Sequence, residues 1–463
     1  MSARATPADT PAVNAQAQPG SLSRRVLLGY SFGSLGTGIY SSTPGVLLLY
    51  FMTDTLGIPA SLAALGVALP KLWDMVADPL VGGLSDRTRS RWGRRRPWLL
   101  AGSLLMFLSY VFLFTVPEFA DPGASFLYVT GMFTLTATAY AIFAVPYTAM
   151  AAEMSDSSRE RVRIMAYRMT LMLLGVLTGS ALAPLLVAAF GGGRAGYAAM
   201  SVIVGTAAAG TMLLSFLATR GLRLREQPVD HGSRWSEQLG LALRNRKFLL
   251  LVSVYLVQLL AIGTMTAATP YFVVHVLGHG EALIGMIFFV LMGVGVISMG
   301  AWSAIARRIG KKRAYVVATV LYAAASLGLL GVHSTDNAWS LYLPLTAMGF
   351  AFGAQQMLPF AMLTDVINAD ADAHGMRREG LLSGLWVASE KAGLALGPLL
   401  AGLTLHFAGF VESTGPTVVQ SSGAQTGIRV AYCVLPAIAM VGSLLVLRLY
   451  RLDEGEQEST GRA

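Results

Sequence analysis

Lys71, Asp74 and Asp78 lie at spacings of three and four residues inside an otherwise apolar run. A helix through that run lines all three along one face. The run starts near Pro59 and is long enough to cross a bilayer. Each charge near the middle of such a span costs about 2.5 to 3.5 kcal/mol on insertion scales. Three on one stripe therefore need partners, water or a task. Two carboxylates one turn apart suit the capture of a proton or a sodium ion, and a nearby lysine opposes that capture. The plainer reading is a structural ion pair with Lys71, or with Lys391, which stands well inside another apolar run. A lysine at that depth cannot easily snorkel to an interface, so pairing with the carboxylates when the cation is absent is the sharper reading.

The elements that would carry these residues follow from composition. The chain has 463 residues, 54% hydrophobic and only 13% charged, against about 25% charged in soluble domains. It reads as a polytopic membrane protein and not as a soluble enzyme. The formal charge of +9 comes largely from arginines in short loops between apolar runs, which argues for membrane orientation and against a nucleic-acid partner. The single cysteine, Cys433, allows no intrachain disulfide, and the six histidines are scattered without ligand spacing. No metal centre or cofactor is expected beyond the coupling ion. A GxxxxGK[ST] phosphate loop is absent, and no nucleophile motif occurs.

Twelve apolar segments can be drawn, at 26–51, 59–84, 98–117, 125–152, 164–190, 196–219, 246–275, 282–306, 314–332, 340–368, 381–409 and 427–450. Basic clusters follow the even-numbered segments: Arg87 to Arg96, Arg159 to Arg163, Arg220 to Arg225, Arg307 to Arg313, and Arg377 with Arg378. The loops after the odd-numbered segments carry no Lys or Arg, apart from Arg194. By the positive-inside rule both termini are cytoplasmic and the chain is a multi-pass protein of the cell (inner) membrane. Residues 1–22 read as a disordered cytoplasmic tail without signal-peptide layout. The expected organisation is then a bundle at 23–219, a cytoplasmic link at 220–245, a second bundle at 246–450 and a tail at 451–463. The halves echo each other. Gly83-Leu84-Ser85-Asp86-Arg87 leads to Gly93-Arg94-Arg95-Arg96, and Gly300 leads to Arg307-Arg308-Ile309-Gly310-Lys311-Lys312-Arg313. Duplicated six-span bundles point to a secondary transporter.

Several stretches carry a family resemblance. They are Asp74-Met75-Val76-Ala77-Asp78-Pro79, Arg89-Ser90-Arg91-Trp92-Gly93-Arg94 with Pro97-Trp98, and Pro146-Tyr147 before Arg159-Glu160-Arg161 and Tyr167-Arg168-Met169. Thr364-Asp365-Val366 and Arg377-Arg378-Glu379-Gly380 with Trp386 and Glu390-Lys391 complete the set. Together they resemble the glycoside–pentoside–hexuronide:cation symporters (melibiose permease-like) of the major facilitator superfamily. The run from Ala166 to Thr170 is also similar to the related lysophosphatidylcholine transporters. The resemblance implies an all-α fold of twelve transmembrane helices in two pseudo-symmetric bundles. It implies a cation-coupling site at Asp74, Asp78 and Lys391, with Lys71, Tyr140 and Arg168 near substrate. It also places Gly38 and Ala144 where acidic sugar-holding residues stand, and Ala77 and Ala141 where neutral sodium ligands stand.

Other residues have two readings each. Arg168 is either a cytoplasmic anchor or a forked donor to a hydroxylated or anionic substrate. Tyr40, Tyr140, Tyr147 and Trp386 are either a sugar platform or packing residues. Asp86, with Arg87 and Arg94, is either an orientation signal or a gating latch across the bundle interface. The expectation is a monomeric transporter, in lipid, moving a small solute by alternating access. Sugar or glycoside symport with H⁺, rather than Na⁺, is the leading reading. Transport of a lysolipid or other amphipathic solute is second, and a non-transporting membrane sensor is third.

Overall fold

The computed structural model describes residues 22–155, 157–222, 245–332, 338–374, 379–414 and 418–450. The expected terminal tails, most of the 220–245 link, and Arg377 and Arg378 lie outside them. Among the described residues every regular element is helical. In chain order the spans are α1 (Arg24–Tyr50), α2 (Ala60–Arg87), α3 (Arg96–Phe114), α4 (Pro122–Glu153), α5 (Ser158–Leu177) and α6 (Gly193–Ala218). The second half has α7 (Arg246–Tyr271), α8 (Ala282–Ile309), α9 (Lys311–Gly328), α10 (Ala338–His374), α11 (Glu379–Phe407) and α12, built from Ser422–Arg429 and Leu435–Leu449 around a π turn. The fold is the all-α major facilitator architecture of twelve spans in two six-helix bundles. Nine of the helices are long and apolar enough to cross a membrane by length and composition alone. The other three, α1, α10 and α11, occupy the remaining places in that pattern.

Local chemistry starts and stops these helices where the sequence changes character. Ser23, Asp121, Asn245 and Ser421 cap helices through side-chain oxygens that accept backbone N–H groups. The two echoed basic turns are closed by Gly93 and Gly310, at φ +89 and +86. A side chain would strain both, since positive φ favours glycine.

The two bundles pack alike. In the first half α1 packs on α5 and α6, α3 on α4 and α6, and α2 on α4. In the second, α7 packs on α11 and α12, α9 on α10 and α12, and α8 on α10. Each pairing has its counterpart six helices on. Between the halves α2 meets α11, α8 meets the π turn Thr178–Leu182 and short helix Ala183–Ala189 that continue α5, and α1 meets α7, again as counterparts. Small residues set the closest crossings, as membrane helices require when no hydrophobic drive separates helix from lipid. A Cβ on Gly38 would stand 2.3 Å from the Met172 carbonyl oxygen, and one on Gly175 would stand 2.2 Å from that of Leu35. The α7–α11 counterpart is Gly263 with Gly397, where a Cβ on Gly397 would lie 2.5 Å from the Gly263 carbonyl carbon. Large apolar side chains such as Ile297 and Leu343 stand exposed on the outer surface, where a bilayer would cover them.

These crossings predict a stability difference. Gly38→Val and Gly175→Val are expected to lower the melting temperature in detergent, with an overpacking cost of about 1–3 kcal/mol each. Gly293→Val, at a position with nothing within 4 Å of its Cβ, is expected to leave it unchanged. Equal shifts at all three would show that the crossings are not tight.

Candidate functional site

The site is built on α2. Asp74 is buried, and Asp78 and Lys71 are partly exposed on the same helix. Pro79, inside α2, has no N–H and so leaves the Met75 carbonyl without its helical donor. That adds a backbone oxygen to the stretch between the two carboxylates. Lys391, from α11 in the other half, donates a hydrogen bond to Asp78 Oδ2 and forms an ion pair with it. The Lys391 and Asp78 side chains are 19% and 28% exposed, so this pair is only partly shielded from solvent. Asp78 Oδ1 and Asp74 Oδ1 are buried and have no hydrogen-bond partner. Such orphaned oxygens cost free energy unless something binds them.

The surroundings divide sharply by polarity. Ala77, Val81 and Ala141 form a small buried cluster, with Trp98, Ile142 and Val145 against it. The wall beside the carboxylates therefore carries no side-chain oxygen at those positions. On the other side, the Lys71 ammonium lies 5.8 Å from the ring centroid of Tyr40 and 6.0 Å from that of Phe133, within reach of cation–π attraction. Tyr40 packs on Tyr140 with centroids 4.7 Å apart, and its buried hydroxyl has no partner. Lys71, Asp74, Asp78, Lys391, Tyr40 and Tyr140 are thus one neighbourhood.

The remaining sequence candidates sit elsewhere. Tyr147 is buried between Tyr30 and Phe143. Its hydroxyl is 2.8 Å from Ser34 Oγ and donates to the Tyr30 carbonyl at 3.0 Å. Arg168 is buried against it, with its guanidinium 4.5 Å from the Tyr147 ring centroid. It donates to Ser34 at 3.4 Å and to Thr148 at 3.2 Å. These residues knit α1, α4 and α5 together. Trp386 stacks on Tyr255 at 4.1 Å and 13° in the second half, and its buried Nε1 has no partner. The four aromatics are distributed over three packing clusters and do not form one platform. Gly38 leaves no room for any side chain, because α5 backbone occupies the space.

At the arginine-rich end Asp86 pairs with Arg95 at 2.6 Å, and Arg95 also reaches Glu153 at 3.0 Å. Arg94 joins Glu153 at 2.7 Å, and Arg87 is exposed. All of these belong to the first half, so among the described residues the ion pair of Asp86 stays within its own bundle. The partners Arg95 and Glu153 escape a reading of the Gly-x-x-Asp-Arg motif alone. The repeat shows where to look: Lys311 pairs with Asp365 at 2.7 Å in the second half, the counterpart of arginine against the end of α4.

The geometry agrees with what comparison to known proteins finds. Residues 29–454 match the model of the MFS/sugar transport protein family. The chain belongs to that family. An uncharacterized symporter of Synechocystis is 29% identical, over 91% of this chain and 93% of its own. The putative glycoside/cation symporter YagG of Escherichia coli is 28% identical over 94% and 93%. The sodium-dependent lysophosphatidylcholine symporter 1 of Xenopus tropicalis is 23% identical over 94% and 88%. Among solved structures, a bacterial homologue of the human lysosomal transporter Spinster, inward-facing and unoccupied, superposes with a TM-score of 0.68 at 13% identity, covering 93% and 96% of the two chains. This MFS/sugar transport protein is therefore a cation-coupled membrane transporter of a small molecule, and not an enzyme.

The ion pair between the halves makes a prediction. Asp78→Ala and Lys391→Ala each leave one charge without its partner, so each is expected to lower thermal stability more than the double variant does. The coupling expected from a thermal double-mutant cycle is about 0.5–3 kcal/mol. Additive losses would show that the contact carries no energy.

Proposed function

We propose that this MFS/sugar transport protein moves a sugar or glycoside across the cell membrane together with a proton, by alternating access, with its arginine-rich loops in the cytoplasm. The observation that carries the reading is Asp74: a buried carboxylate with an unpartnered oxygen, beside an apolar wall, one turn from the carboxylate that ties the two halves together. A proton needs one carboxylate oxygen and tolerates apolar neighbours. Sodium, a hard cation, needs several oxygens, and Ala77 and Ala141 supply none from side chains. Coupling then follows from charge. A bare carboxylate is costly in a closed, dry cavity, so the site closes readily around substrate only once the charge is neutralised. In the empty return step Lys391 takes that part by pairing with Asp78. Substrate would lie against the Tyr40–Tyr140 pair and Lys71, where sugar C–H faces meet aromatic rings and hydroxyls meet the ammonium. The glycoside/cation symporter among the relatives supports this class of cargo.

Sodium is the competing ion, favoured by the undonated Met75 carbonyl beside the two carboxylates. The deciding measurement is uptake into vesicles at fixed pH, with an imposed sodium gradient and a collapsed proton gradient. No accumulation of glycoside is expected. Accumulation that disappears when potassium replaces sodium would overturn the proton reading. In either ionic regime Asp74→Asn or Asp78→Asn is expected to reduce uphill accumulation at least tenfold while leaving part of the substrate binding. Accumulation at the unmodified rate in both would remove the carboxylates from the coupling mechanism.

A further inference from the structure

Two stretches at the arginine-poor end repeat each other. Tyr50-Phe51-Met52-Thr53-Asp54-Thr55-Leu56-Gly57 ends α1, and Tyr271-Phe272-Val273-Val274-His275-Val276-Leu277-Gly278 ends α7. Both pass through a five-residue π turn, Phe51–Thr55 and Phe272–Val276. The leucine N–H donates to the phenylalanine carbonyl in each, at 3.2 and 3.0 Å. The next turn closes from Ile58 to Met52 at 2.9 Å and from His279 to Val273 at 3.1 Å. Both end on a glycine of positive φ, +66 at Gly57 and +68 at Gly278. Since α1 and α7 are counterparts that touch, these two turns meet where the local twofold relation of the halves brings equivalent positions together.

At one position the two turns carry complementary hydrogen-bonding groups. The fourth residue of the π turn is Asp54 in the first half and His275 in the second. The two side chains meet, His275 Nε2 to Asp54 Oδ1, at 2.9 Å, and they are 1% and 5% exposed respectively. We infer that the Asp54–His275 contact is the latch that holds the halves closed at the arginine-poor end, and that it must part before the midplane site opens on that side. The inference rests on the alternating-access reading above.

Neighbouring contacts close the same seam. The Tyr50 and Tyr271 rings meet edge-on at 5.3 Å, and Phe410 lies 5.3 Å from both Tyr271 and His275. The Thr53 hydroxyl is 2.7 Å from that of Tyr271. Ser413 N–H donates to the Thr53 carbonyl at 3.1 Å. Glu412 accepts from the Ala60 N–H at 2.8 Å, capping α2 from the other half. A Cβ on Gly402 of α11 would stand 2.5 Å from that of Ala64 on α2. Within this seam the Asp54–His275 pair differs in kind. A buried carboxylate that loses its partner without gaining water is strongly destabilising. The pair is therefore stable with the halves fully together, or with them apart and both groups hydrated, but not between. That is the behaviour of a two-position latch. The exchange of carboxylate for imidazole at this position makes the contact attractive: two aspartates there would repel, and two neutral imidazoles would lose the carboxylate acceptor.

The test uses this pseudo-symmetry. Spin labels are placed at Glu118→Cys and Val419→Cys, exposed positions at the arginine-poor end of each half, in a Cys433→Ala background. Distances are measured in lipid nanodiscs without substrate or gradient. His275→Asp is expected to raise the longer-distance population severalfold over the otherwise native sequence. The exchanged double variant, Asp54→His with His275→Asp, is expected to return it towards the native distribution. If His275→Asp does not fold, His275→Ala, which removes the donor and leaves Asp54 unpartnered, is read in its place with the same expectation. A native distribution in the single variant, or an exchanged variant as open as His275→Asp, would overturn the latch. Because the readout involves neither sugar nor ion, a wrong cargo or coupling ion in the functional reading would leave it unaffected.

Discussion

A carboxylate held in the middle of a bilayer must be neutralised, hydrated or paired, and this constraint organises much of the molecule. On α2 two carboxylates share a face, and one of them, Asp78, takes its partner from α11. The ion pair is therefore also a mechanical connection between the two halves. A structural pair buried within a single bundle would be indifferent to their relative position. A pair shared between bundles is sensitive to it, so charge and conformation become linked variables. Asp74, one turn away, keeps a buried oxygen without a hydrogen-bond partner.

The internal repeat accounts for much of the remaining architecture. The same helix pairings occur in both halves, and the close α1–α5 crossing at Gly38 and Gly175 has its analogue at Gly263 and Gly397. Glycine at a crossing lets two backbones approach to a distance that a methyl group forbids. At the arginine-rich end Arg94 and Arg95 engage Asp86 and Glu153 within the first half, and Lys311 engages Asp365 within the second. At the other end the hydrogen bonds described above run between halves.

Much of this was legible in the sequence. Hydropathy located the spans, because only helices satisfy their backbone in lipid, and the motif around Asp74 and Asp78 identified the family. The functional assignments of single residues were less legible. Tyr147 and Trp386 are aromatic residues in apolar spans, and nothing in their spacing distinguishes a side chain facing a cavity from one stacked on Tyr30 or Tyr255. Arg168 suffers the same ambiguity, since its partners Ser34 and Thr148 come from other helices. Asp86 stood out in its motif, but the motif does not say which arginine it pairs with, and the partner is Arg95 of its own half. Asp54 and His275 were missed because each looks ordinary alone; only aligning the ends of the first and seventh spans shows the matching frame of tyrosine, phenylalanine, leucine and glycine, with carboxylate facing imidazole at the fourth residue of the π turn.

Gly38 has a consequence for how such a protein can change its cargo over evolutionary time. A transporter acquires a new preference most simply by exchanging a side chain that faces the cavity. On α1 that path is closed at this position, since α5 backbone fills the volume a Cβ would need. Ala144 on α4 already carries a Cβ and is only partly buried. Divergence in specificity is thereby channelled towards one helix of the bundle, while the other is committed to the contact that keeps the bundle rigid.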